Sequence, residues 1–131
     1  MQWQKKIALG AAAFATLALP VSALADETVV ESFRLSDARA LVTACSVPED
    51  HALHPRANAF CLGYMTGAMQ FYGAAIKSPD VDPFVCAPED LSRASLRDVF
   101  LGWAETNPQR LDEPAIEGLV RAAVAKFPCK R

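Results

Sequence analysis

The residues with the most reactive side chains are four cysteines, Cys45, Cys61, Cys86 and Cys129, with His51 and His54 between the first two. A cysteine with an imidazole as base could be an acyl-transfer nucleophile. Cys45, His51, His54 and Cys61 together could present two sulfurs and two nitrogens to zinc. Neither chemistry suits this chain. The spacing matches no common zinc module, and the intervening SVPEDHALHPR has the prolines and acids of a surface loop. There is no Cys-x-x-Cys, which argues against a thioredoxin-type site or haem attachment. No glycine-rich phosphate loop is present, and no two carboxylates stand out as an acid and base pair. Tyr64, Phe71, Tyr72 and Trp103 could form a ligand cage, but at helical spacing they read better as core. No catalytic, cofactor-binding or metal-binding residue is therefore assigned, and the chain is read as a binding protein, not an enzyme.

The alternative for the cysteines is cross-linking, and the first residues favour it. MQWQKKIALGAAAFATLALPVSALADE has a basic start at Lys5 and Lys6, an apolar run from Ile7 to Leu19, a break at Pro20 and a small-x-small site at Ala23–Ala25. This is the order of a secretory signal peptide cut after Ala25. The apolar run is shorter than the roughly 20 residues that span a bilayer. The expectation is a leader over 1–25, a single domain over 26–131 and a periplasmic location, with no membrane association after cleavage. An even cysteine count in a small exported chain reads as two disulfides. All 15 acidic residues lie beyond position 25 and two of the 13 basic ones before it, so the mature chain carries a formal charge of −4. A nucleic-acid partner, which calls for a basic stripe, is not expected.

The elements that must position these cysteines are helical throughout. Residues 26–34 read as a short polar lead. Ser36 is placed as the N-cap of a first helix, in which Ala38, Leu41, Val42 and Cys45 share a face. A second helix runs from Ala57 to Ile76 through FCLGYMTGAMQFYG. It is so nearly free of polar residues that burial on almost every side is expected. Gly63 and Gly67, four apart, would admit a close neighbour. The proline-rich KSPDVDPFVCAPED is a loop. Ser92 caps a third helix carrying Leu96, Val99, Phe100 and Trp103, stopped by Asn107–Pro108. Asp112 is placed as the cap of a fourth, with Pro114 in its first turn and Ile116, Leu119, Val120, Ala123 and Phe127 on its apolar face. The fold class is all-α: a small, four-helix, disulfide-stapled domain. Antiparallel neighbours would bring Cys45 to Cys61 and Cys86 to Cys129, closing each half separately.

The helix ending in Cys45, then Cys61-Leu62-Gly63-Tyr64-x-x-Gly67, Cys86-x-Pro88, Pro114-Ala115 and the terminal Phe127-Pro128-Cys129 occur in an order that resembles the Rap/Tai family of periplasmic immunity proteins. The resemblance spans about residues 35–129. It implies a helical fold akin to that of acid-stress chaperones, often dimeric. It also implies protection against a peptidoglycan amidase delivered by type VI secretion, by occlusion of the enzyme's groove. A chaperone-like or structural periplasmic protein without a toxin partner is the alternative. The inhibitory segment does not carry over residue by residue. On its own chemistry the loop from Ser78 to Asp90 is the best plug, stiffened by Pro79, Pro83 and Pro88. Asp80 and Asp82 offer carboxylates and Phe84 an aromatic anchor; the competing reading folds Phe84 back onto the core. The apolar surplus of the second helix suggests a homodimer face.

Overall fold

A computed structural model describes residues 21–130. The first twenty residues of the expected leader lie outside the described residues. Among the described residues there are five α-helices: α1 (Val21–Ser32), α2 (Ala38–Cys45), α3 (His54–Ala75), α4 (Arg93–Thr106) and α5 (Ala115–Lys126), with a 3₁₀ turn (Pro108–Arg110) between the last two. Among the described residues there is no strand, only an isolated antiparallel bridge between Val85 and Pro128.

The all-α reading holds, with one helix more than expected. Residues 26–32 of the expected polar lead belong to α1 because of tertiary contacts that its composition does not announce. Val29 is buried with Val47 and Ala57. Beyond the helix end, the Phe33 ring lies 4.9 Å from that of Phe60, and the Arg56 guanidinium sits 5.2 Å over it. The chain then turns through Leu35, whose φ of 52° is left-handed, and enters α2. A bulky side chain there carries a local conformational cost. Leu35 packs against the main core, which offsets it.

Short as it is, α2 is the hub: it touches all four other helices. Ala38 and Leu41 are fully buried. The first N–H groups of a helix have no partner within it. Here Ala38 donates to the Glu113 carbonyl at 2.8 Å and Arg39 to that of Leu111 at 2.9 Å, so the turn before α5 closes the start of α2. Asp37, not Ser36, is the side-chain cap, accepting from the Ala40 N–H at 2.8 Å. Ser92 caps α4 as expected, accepting from Ser95 at 3.0 Å. Asp112 does not cap α5. It accepts from Arg39 at 2.8 Å, and Pro114 takes the cap position instead.

Two expectations about packing are corrected. α3 is not buried on nearly every side: Ala57, Cys61 and Met65 are buried, while Ala59, Gly63, Gly67, Phe71 and Ala74 form an exposed stripe. A Cβ built at Gly63 or Gly67 would meet nothing within 4 Å, so neither glycine serves a close contact within the chain. The close contact is at Gly118, where a Cβ would stand 2.9 Å from that of Ala38. Small residues at Ala115, Gly118 and Ala122, with Leu119, form the buried side of α5. The larger Ile116 and Val124, off this face, are exposed.

Candidate functional site

The chemistry available to the site follows from where the sulfurs are. Cys45 is joined to Cys61 and Cys86 to Cys129, with Cα–Cα distances of 5.2 and 4.9 Å. With every sulfur in a bond, no thiolate is left to act as nucleophile or metal ligand. The two histidines are occupied locally. His51 accepts from the Leu53 N–H through Nδ1 at 3.1 Å and faces Asp26 through Nε2 at 3.4 Å. His54 donates from Nδ1 to the Val47 carbonyl at 2.7 Å. Both hold the α2–α3 connection rather than a ligand.

The four aromatics weighed as a cage part company. Tyr64 packs against the core, and burial pushes its phenol above the ordinary tyrosine range. Trp103 stacks on Phe100 at 6.4 Å. Phe71 points outward, 77 % exposed. Tyr72 instead fixes the loop after α3. Its hydroxyl donates to the Val85 carbonyl at 2.9 Å and accepts from the N–H groups of Phe84 at 3.1 Å and Val85 at 2.9 Å. One donor and two lone pairs are all a phenol has, so this hydroxyl is fully used. Its ring meets that of Phe84 edge-on at 4.8 Å. The Cys86 N–H donates to the Phe127 carbonyl at 2.8 Å, beside the second disulfide.

The loop therefore has two parts. Residues 84–86 are latched to both α3 and the chain end. Residues 78–83 form an exposed turn, held by Val81 donating to the Ser78 carbonyl at 3.2 Å. Asp80 and Asp82 lie in this turn and are exposed. Phe84 stands at its base, 45 % exposed: it leans on Tyr72 without being buried.

Behind Phe84 opens a cleft of about 520 Å³, which sequence reasoning missed. Its walls are the last two turns of α3, the segment from Phe84 to Leu91, and the side of α5 bearing Ile116, Leu119 and Val120. Glu89 is its one charged lining residue. A second groove of about 630 Å³ runs along the outer side of α5, between Trp103, Ile116, Val120 and Val124. Ile116 and Val120 border both, so one apolar band joins Phe71 and Phe84 to Val124. The band could have been sought in the i, i+4, i+8 series Ile116, Val120, Val124. The sequence reading places Ile116 and Val120 of that series on the inward face, together with Leu119 and Ala123.

The surface presents an apolar cleft beside a latched loop whose carboxylates are exposed. No helix among the described residues is long and apolar enough to cross a membrane. No curated protein and no solved structure matches the chain. The family model for Rap1a immunity proteins does match, over residues 37–129, which takes in α2 to α5, both disulfides and the latched loop. The chain belongs to the Rap1a immunity proteins.

Proposed function

We propose that this chain is a periplasmic immunity protein that binds and occludes a peptidoglycan amidase delivered by type VI secretion. The observation that carries the reading is membership of the immunity family over nearly the whole helical domain. The leader-like start, with its small-x-small site ending at Ala25, supports export, and the two disulfides suit an oxidising compartment. Occlusion falls to the loop from Ser78 to Asp90. Three prolines restrict it, and the Tyr72 latch holds its base, so little freedom remains to be lost on binding. Phe84 is the anchor and Asp80 and Asp82 are the flanking acceptors.

The test is hydrolysis of purified peptidoglycan by a type VI secretome, with disulfide-bonded protein added. Stoichiometric loss of amidase products is expected. Phe84→Ala with Asp82→Ala should weaken inhibition by about 2 kcal/mol or more, as loss of an interface anchor does, with little change in thermal midpoint. Hydrolysis that continues in the presence of excess protein would sink the reading and leave the chaperone-like alternative.

The same reading includes a homodimer through the open stripe of α3. From Ala57 to Ile76 this helix carries no charge, and Gly63 and Gly67 would let a second helix approach closely. Sedimentation at micromolar concentration should show a dimer that Gly67→Arg dissociates. Monomer alone in the unmodified protein would refute it.

A further inference from the structure

The cleft behind Phe84 and its rim have opposite characters. The lining is aliphatic and aromatic: Leu119 is buried at its floor, Met69 and Val120 are half-buried in its walls, and Phe71 and Phe84 stand exposed at the mouth. The rim is acidic. Residues 78–90 hold four carboxylates, Asp80, Asp82, Glu89 and Asp90, and no basic residue. All four are exposed. None takes part in an ion pair among the described residues, although Arg34, Arg39, Arg97, Arg110 and Arg121 all do.

Three kinds of occupant can be compared on charge. A fatty acid would satisfy the floor but bring its carboxylate into a negative field. A second copy of this chain docked cleft to cleft would set the same four carboxylates against their own images. A basic protein surface presenting one large apolar side chain satisfies floor and rim together. The volume of about 520 Å³ falls within the roughly 300–1,000 Å³ of ordinary ligand sites. The opposed charges would speed encounter and fix orientation.

We infer that this cleft is a socket for a single aromatic or large aliphatic anchor borne on a basic segment of the protein's partner. The inference rests on the immunity reading only in identifying that partner as the toxin. Binding would then be reciprocal: the chain inserts its loop into the partner, and the partner inserts a side chain beside that loop.

The experiment uses the intact, disulfide-bonded protein and three probes: the capped peptides Lys-Lys-Trp-Lys-Lys and Glu-Glu-Trp-Glu-Glu, and laurate. Methyl NMR signals of Met69, Leu119 and Val120 report entry to the cleft. The basic peptide should shift them and bind at least tenfold more tightly than the acidic one, with the preference shrinking at high salt. Glu89→Lys with Asp90→Lys should erase that preference. Gly73→Leu should block entry. Gly73 lines the cleft and a Cβ there meets nothing within 4 Å, so the variant should not lower the thermal midpoint. No methyl shift with the basic peptide overturns the socket, as does equal binding of the two peptides. Tighter binding of laurate makes the cleft an acyl site, and intermolecular contacts to these methyls in the free protein make it a dimer contact; either outcome also overturns it. The amidase assay decides the immunity reading separately. Inhibition without peptide entry sinks the socket alone, and entry without inhibition sinks only the toxin as its partner.

Discussion

Replacing Gly118 by alanine tests how tightly α5 crosses α2. The added methyl would stand 2.9 Å from the Ala38 Cβ, 3.5 Å from Trp103 Cζ3 and 3.6 Å from Phe100 Cε2. The last two are ordinary contacts. The first is not, and its atom belongs to the first residue of a helix whose N–H groups are bonded to the turn at 111–113. Overpacking of this kind costs about 1–3 kcal/mol. Alanine regains about 0.8–1.0 kcal/mol of helix propensity. The net expectation is a loss of about 1 kcal/mol, with an upper limit near 2 kcal/mol. For a domain of this size that lowers the thermal midpoint by about 4–8 °C per kcal/mol. The same substitution at Gly63, which faces open space, has only the propensity gain and should stabilise the monomer by about 0.5–1 kcal/mol. Urea unfolding with the disulfides intact measures both. Ala38→Gly combined with Gly118→Ala removes the offending contact, so the pair should show a favourable coupling of about 1 kcal/mol in a double-mutant cycle. If Gly118→Ala is as stable as the unmodified protein, or the cycle shows no coupling, the crossing is looser than argued and α2 is not clamped there.

Tyr72→Phe removes a hydroxyl engaged in three hydrogen bonds. It should cost about 1–3 kcal/mol by leaving Val85 under-bonded, and amide exchange at Phe84 and Val85 should rise first; unchanged exchange would mean the second disulfide alone holds the loop. Separate removal of the two disulfides by serine pairs should cost about 3 kcal/mol for Cys45–Cys61 and about 4 kcal/mol for Cys86–Cys129 on the chain-entropy model; a reversed order in urea unfolding would contradict it. Glu113 is held below the usual glutamate range, chiefly by its hydrogen bond from Arg110 and further by Arg121. A lowered folded-state value contributes stability above the ordinary glutamate pKa that is lost as pH falls through the folded one. The gap in urea midpoint between the unmodified protein and Glu113→Gln should therefore close as pH is lowered through that range, and high salt should shrink it; a constant gap would mean Glu113 acts through packing.

Helices were legible where the chain carries its own punctuation. Ser92 opens α4, and Asn107–Pro108 ends it, in sequence and structure alike. α1 was not legible, because its buried apolar residue, Val29, meets Val47 and Ala57 only after the chain has folded back. Caps were misplaced where two candidates adjoin, as at Ser36 and Asp37, or where tertiary pairing claims the residue, as Arg39 claims Asp112. The reading of α5 failed in part. Leu119 and Ala123 are inside as expected, but Gly118 faces Ala38 at the crossing with α2, and Ile116, expected inside, is exposed. The carboxylates and Phe84 of the loop could be named from sequence. The cleft behind them could not, since its walls come from three separate stretches of chain.

The disulfides also bear on how the molecule is made. Each joins a cysteine to the next one along the chain: first to second, third to fourth. Under the proposed export, with the amino end emerging first, Cys45 appears, then Cys61, and that bond can close before Cys86 appears. The remaining two then have only each other. An oxidant that joins sulfurs in order of arrival therefore makes both native bonds directly, with no wrong partner to undo. Connectivities that skip a cysteine require the first bond to wait or be reshuffled, which takes seconds to hours. Such a chain can be oxidised as fast as it is delivered.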